Sequence, residues 1–208
     1  MNSNVKLGRL YGVPVGLHWS WFLIFILLSW SLAIGVYAPR LPTQSPALHW
    51  GLGITTSVLL FASVLAHEFG HALVSIRNGI PVERITLFIF GGVAQISQEP
   101  QSAGVEFRIA IAGPLVSLAL ALIFGLAWFV SGSVPILATG MRWLAEINLT
   151  LVLFNMIPAF PLDGGRVLRS ALWAWKKDYL KATRMATLAG QGISYLFILT
   201  GIFFISRG

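Results

Sequence analysis

Two histidines and a glutamate fall within one five-residue window, His67-Glu68-Phe69-Gly70-His71, inside a long apolar stretch. On a helix, residues four apart lie on one face, so both imidazoles can bind a single cation. Glu68 follows the first histidine and would lie beside the cation without acting as a ligand. Zinc held in this way, with a carboxylate as general base, activates water for peptide hydrolysis. The window predicts one catalytic Zn2+, with His67 and His71 as ligands and Glu68 as base.

A catalytic zinc needs a third protein ligand, and Asp163 is the best candidate. It follows a turn that contains Pro158 and Pro161 and precedes Gly164-Gly165. Irregular backbone at membrane depth is tolerated only where protein or a water-filled cavity surrounds it. The other acidic residues outside the window have settings that make them weaker candidates. Glu83 and Glu99 flank a predicted hairpin, Glu106 lies at the start of a span, Glu146 can form an ion pair along its helix, and Asp178 lies among lysines.

Composition identifies lipid as the solvent of this chain. Of its 208 residues 56% are hydrophobic and 10% are charged, against about a quarter charged in soluble domains. The net charge of +7 comes from scattered Lys and Arg rather than a basic run, so we predict no nucleic-acid partner. Without cysteine, no thiolate site is possible. No cleavable signal peptide is evident. We expect a single membrane-embedded core over residues 1–208.

Hydropathy predicts an all-α membrane protein, a multi-span bundle of about five or six helices. Apolar stretches cover residues 17–38, 50–76, 107–130, 144–157 and 187–205. The β-branched and aromatic segment near residues 85–97 is interrupted by Gly91-Gly92 and predicts a small membrane-associated hairpin or sheet. Residues 166–181 are amphipathic, which indicates a helix on the membrane face or a short span.

The distribution of Lys and Arg predicts the orientation of the spans. Lys6, Arg9, Arg77 and the basic segment from Arg166 would stay on the cytoplasmic side. The end of the second span and the turn before Asp163 then face the same leaflet. We expect an integral protein of a prokaryotic cell membrane with its active site toward the cytoplasm.

At these residues the chain resembles the site-2 protease family of intramembrane zinc metalloproteases, of the M50 type. The His-Glu-x-x-His window matches the first family motif, and the segment from Asn155 to Gly165 matches the second. The segments Phe90-Gly-Gly-Val-Ala-Gln95 and Ile111-Ala-Gly-Pro-Leu115 match as well, so the resemblance covers nearly the whole chain. The resemblance is to the core of the family, without its PDZ or CBS domains. One more apolar span usually follows in the most similar branch.

The resemblance implies a zinc held by His67, His71 and Asp163, with Glu68 as base. It implies that Asn155 positions substrate or stabilises the oxyanion. The strand at Gly91, Gly92 and Val93 looks like the family's edge strand, where an unwound substrate would pair. The implied partners are the lipid bilayer, a transmembrane protein substrate and a regulatory membrane protein.

Two other functions fit some of these residues. In a small transporter or channel, His67, Glu68, His71 and Asp163 would line an ion or proton path. That function does not explain why a glutamate directly follows the first of two histidines at helical spacing. A catalytically dead scaffold is disfavoured because the base and all three ligands are present.

Overall fold

Helices make up most of the chain in the computed structural model, which describes residues 5–207. Within that range the elements follow one another as β1 (Val5–Leu10), β2 (Val13–Leu17), α1 (Ser20–Ser31), a π-helical stretch (Leu32–Tyr37), α2 (Ala38–Arg40), α3 (Pro46–Arg77), β3 (Val82–Phe88), β4 (Gly91–Ile96), α4 (Ala103–Val130), α5 (Pro135–Asn155), α6 (Asp163–Lys176) and α7 (Tyr179–Ile205).

Five helical segments of the described chain are long and apolar enough to cross a membrane. They are Ser20–Arg40, in which the π-helical stretch joins α1 to α2, together with α3, α4, α5 and α7. Their outward side chains are largely apolar, as on α7, where Leu196, Phe197, Leu199 and Ile202 are exposed. An apolar surface of this extent suits lipid rather than water. The predicted all-α, multi-span membrane fold is confirmed.

The amphipathic helix α6 is too short to be one of these spans. Its 14 residues extend about 21 Å at the rise of an α-helix, against a hydrocarbon core of about 30 Å. It packs against α4 and α7. Of the two structures that the sequence allowed for residues 166–181, a helix on the membrane face fits this length better than a short span does.

Helices α3 and α4 begin about one turn before the predicted apolar stretches, and α5 and α7 begin more than two turns before them. The stretches at 144–157 and 187–205 are the apolar ends of α5 and α7, which start at Pro135 and Tyr179, a little over two turns sooner. Arg142, in the added turns of α5, forms an exposed ion pair with Glu146, with a 2.7 Å N–O distance. The carboxylate of Asp178 caps α7 by accepting a backbone N–H in its first turn. Polar helical turns of this kind escape a search for apolar runs.

The strands form one four-stranded sheet in the order β1-β2-β3-β4. The predicted hairpin near residues 85–97 is its β3–β4 half, paired antiparallel, and β2 runs parallel to β3. The N-terminal strands were not predicted, although the Tyr11-Gly12 turn and the alternation of Val13 and Val15 are typical of a hairpin. Both valines are buried.

The sheet lies against the second half of α3. Val13 and Ile85 from the sheet form a buried cluster with Ala72 of α3. Since Ala72 directly follows His71, this packing brings β4 beside the helix that carries the two histidines. On its other side α3 packs against α4, which in turn contacts α5 and α6.

Candidate metal centre

Helix α3 presents His67 and His71 on one buried face. The two histidines are 6% and 4% exposed, and their Nε2 atoms are 3.2 Å apart. Because the residues are one helical turn apart, the backbone alone directs both rings toward the same point.

The turn after α5 brings Asp163 to that point. Its Oδ2 atom lies 3.2 Å from Nε2 of His67 and 3.3 Å from Nε2 of His71. Asp163 is the first residue of α6 and is 8% exposed. The next residue, Gly164, allows the turn to close, since a Cβ there would overlap the carbonyl oxygens of Met156 and Ile157.

Helix α4 fixes the orientation of both rings through their Nδ1 atoms, whereas the Nε2 atoms face Asp163. Nδ1 of His71 donates to the carbonyl oxygen of Ile109 at 2.6 Å, and Nδ1 of His67 lies 2.9 Å from the hydroxyl oxygen of Ser117. Hydrogen bonding at Nδ1 fixes the ring orientation and directs Nε2 toward the common point. Metal-binding histidines are held in this way in other proteins.

The three donor atoms fit a tetrahedral metal ion. Ligand atoms about 2.0–2.1 Å from a tetrahedral zinc are roughly 3.3 Å from one another, and the observed separations are 3.2, 3.2 and 3.3 Å. Burial favours the neutral acid, but hydrogen bonds from His67 and His71 outweigh it and hold the pKa of the Asp163 carboxyl well below its ordinary value. The donor set is thus two imidazoles and a carboxylate, which suits Zn2+.

Gly113 leaves the space in which these atoms meet. A Cβ on Gly113 would lie 2.6 Å from Nε2 of His67 and closer still to Nε2 of His71. The sequence predicts Gly113-Pro114 as a kink with close helix packing. The close approach is present, and the atoms that Gly113 approaches are Nε2 of His67 and Nε2 of His71.

Glu68 lies between the metal centre and the sheet. Its Oε2 accepts a hydrogen bond from the backbone N–H of Ala94 in β4, at 3.1 Å. Glu68 is not one of the three clustered donors. It lines a cavity of about 270 Å3 that also contains His67, His71 and Asp163.

The remaining predicted site residues line the same cavity. Gly91, Gly92 and Val93 of β4 are on its wall, and so is Asn155, at the end of α5. The side-chain N–H of Asn155 donates to the carbonyl oxygen of Leu151 at 3.0 Å. Every residue predicted for the site is therefore brought to one place.

The two other histidines have separate, local roles. Nδ1 of His18 lies 2.8 Å from the Ser20 hydroxyl, and Nε2 of His49 lies 2.9 Å from the carbonyl oxygen of Leu41. Neither belongs to the three-residue cluster.

Three residues at the site were not assigned to it from the sequence: Ser117, Gly113 and Arg166. The first two lie four residues apart on α4, and Arg166 lies three residues after Asp163 on α6. Helical spacing was therefore a usable signal for Arg166. Nothing in the local sequence of α4 indicates that this face meets the histidines.

Known proteins are similar to this chain in sequence and in fold. The sequence model of Peptidase family M50 matches residues 55–139 and 133–199. The protein sll0528 of Synechocystis sp., named as a zinc metalloprotease, is 44% identical over 97% of this chain and 52% of its own length. Zinc metalloprotease MJ0392 of Methanocaldococcus jannaschii is 35% identical over 97% of this chain and 55% of its own. The chain thus spans about half the length of these relatives.

A solved structure gives the same result. The site-2 protease from Methanocaldococcus jannaschii is 33% identical, with a TM-score of 0.62 over 97% of this chain and 86% of that one. The similarity covers the spans, the sheet and the segments that carry the clustered histidines and aspartate. The chain belongs to Peptidase family M50.

Proposed function

We propose that this chain is the core of a zinc-dependent protease that cuts a peptide bond in or near a transmembrane segment of another protein. The observation that supports this most strongly is the triangle of donor atoms 3.2–3.3 Å apart, with the Glu68 carboxylate in the same cavity. The zinc metalloprotease names of the relatives agree with it.

His67, His71 and Asp163 would hold the zinc. When bound, zinc lowers the pKa of a coordinated water to about 7 and polarises a carbonyl. The contribution of the chain is a buried, prearranged donor set: Ile109 and Ser117 hold the rings, and the turn before Gly164 holds the carboxylate.

Glu68 is the proposed general base. It takes a proton from the attacking water at its carboxylate and delivers it to the amine that leaves. The hydrogen bond from Ala94 N–H holds that carboxylate in the cavity. Asn155 lines the same cavity, and we assign to its side chain the positioning of substrate or the stabilisation of the oxyanion.

Strand β4 is the proposed docking edge for substrate. Among the described strands it pairs only with β3, so its other backbone groups can pair with a further strand, apart from the Ala94 N–H, which donates to Glu68. A transmembrane helix conceals its scissile carbonyl within its own hydrogen bonds, and unwinding exposes that group. An unwound segment that pairs along Gly91–Ile96 would regain backbone hydrogen bonds beside Glu68.

The decisive experiment measures zinc and cleavage together. The purified chain is assayed in detergent for bound zinc and for cleavage of a transmembrane peptide, beside Glu68→Gln and Asp163→Asn. We expect about one zinc per chain, an inactive Glu68→Gln protein that keeps its metal, and a weakened metal affinity for Asp163→Asn. Absence of zinc from the parent chain, or unchanged cleavage by Glu68→Gln, would exclude the proposed mechanism.

The proposed setting is a prokaryotic cell membrane, with the cavity on the cytoplasmic side. Lys6, Arg9 and Arg77 support that orientation, because retained positive charges mark cytoplasmic loops. We further propose that residues 1–208 act as one membrane-embedded unit. Its substrate would be a single-span membrane protein, and a regulatory membrane partner would control access.

A further inference from the structure

Arg166 lines the active-site cavity and has no part in the mechanism proposed above. It lies three residues after Asp163 in α6, which places both side chains on one face of that helix. Among the described residues that line the cavity it is the one Lys or Arg. It is partly buried.

The guanidinium of Arg166 has no partner within residues 5–207, neither a hydrogen bond nor an ion pair. Arg169 of the same helix shows the contrast: its Nε donates to the Glu106 carboxylate at 2.8 Å, and its guanidinium lies over the Phe160 ring. One arginine of α6 is thus used by the fold and the other is not. A partly buried guanidinium with unused donors favours a ligand that brings acceptors.

The proposed substrate has such acceptors. In an extended peptide, successive residues direct their backbone N–H and C=O groups to alternate sides. If one side pairs with β4, the carbonyls on the other side have no partner, and an unpaired carbonyl in a membrane is costly. Arg166 supplies further donors in the cavity: one N–H of the Asn155 amide already donates to the Leu151 carbonyl, and its second N–H is the group assigned above to substrate or the oxyanion.

We propose that Arg166 binds backbone carbonyls of the unwound substrate, on the side of the peptide that faces away from β4. This inference rests on the proposed function and names how that function holds its substrate. Recognition of the backbone makes the contact independent of substrate sequence. Arginine suits this role because its planar group presents five N–H donors, enough for more than one carbonyl.

The test measures binding without cleavage. In the Glu68→Gln background, the dissociation constants of two labelled transmembrane peptides are measured in lipid nanodiscs, one peptide with and one without acidic residues. Arg166→Gln should weaken both by about 10-fold to 100-fold, the range of a charge-assisted hydrogen bond. The dissociation constants of Arg166→Lys should lie between those of the Glu68→Gln background and those of Arg166→Gln. Arg184→Gln, the same charge change at an exposed position outside the cavity, is the matched control.

Bound zinc and thermal melting establish that each variant is folded. Unchanged binding by Arg166→Gln would overturn the proposal, and so would a loss confined to the acidic peptide, which would indicate side-chain recognition. Cleavage by the parent chain distinguishes this failure from failure of the proposed function. If the parent chain cuts peptide and Arg166→Gln binds normally, only the proposed carbonyl contact is refuted. If the parent chain cuts no peptide and Arg166→Gln still loses binding, only the proposed protease activity is refuted.

Discussion

Replacement of Gly113 by alanine should remove the metal while leaving the helices in place. The added Cβ would lie 2.6 Å from Nε2 of His67 and closer to Nε2 of His71. Carbon and nitrogen atoms in ordinary contact are about 3.5 Å apart, so both rings must move by roughly 1 Å. Metal–ligand distances tolerate about 0.2 Å, and a shift of this size therefore costs a ligand.

The expected loss of metal affinity can be estimated from weaker perturbations of metal sites. Removal of one hydrogen-bond partner of a metal-bound histidine typically lowers metal affinity by about 10-fold to 100-fold. Since Gly113→Ala displaces a ligand itself, we expect at least the upper end, a loss of about 100-fold or more. Cleavage should fall with the fraction of chain that holds zinc.

The assay is zinc content after purification, followed by competition with a chromophoric chelator, with circular dichroism and thermal melting to report the fold. Gly125→Ala is the matched control, because it lies on the same helix and no atom lies within 4 Å of the Cβ it would add. Gly125→Ala should keep its zinc. A Gly113→Ala protein that binds zinc as tightly as the parent would refute the assignment of this space to the metal.

Two further predictions concern the fold and its orientation. Glu106 is fully buried against Arg169, so Glu106→Gln should lower the free energy of unfolding in mixed micelles by about 3–5 kcal/mol. The control Glu146→Gln breaks an exposed ion pair and should lower it by less than about 1 kcal/mol, and equal losses from the two variants would contradict the prediction. Because the chain has no cysteine, Gln98→Cys and Ser133→Cys can be labelled singly in intact cells: an impermeant maleimide should reach only Ser133→Cys, and the reverse result would invert the proposed orientation.

The metal centre could be predicted from sequence because its main parts are short-range patterns. The spacing of His67 and His71 fixes a shared helical face, and an apolar context makes buried ionisable residues informative. Asp163 required one more step, the topology that places two chain segments at the same leaflet. The structure brings all three donor groups within about 3.3 Å of one another.

The parts that could not be predicted depend on long-range packing. Of the two strands before α1, β2 pairs with β3 across more than sixty residues and β1 pairs with β2, and their alternation was hidden beside a strongly apolar span. Gly113 and Ser117 are ordinary residues of an apolar helix, and only the crossing of α4 over α3 gives them a role. Periodicity describes one element at a time, whereas these contacts belong to pairs of elements.

Helix α4 therefore organises the centre although it supplies none of the clustered donors. Ile109, Gly113 and Ser117 follow one another at intervals of four residues, which places them on a single face of α4. The first and last hold the two Nδ1 atoms, and the middle residue leaves room for the Nε2 atoms. A shift of α4 by one residue along its axis would remove all three contacts together. The register between α3 and α4 is thus the quantity that decides whether the histidines can share one ion.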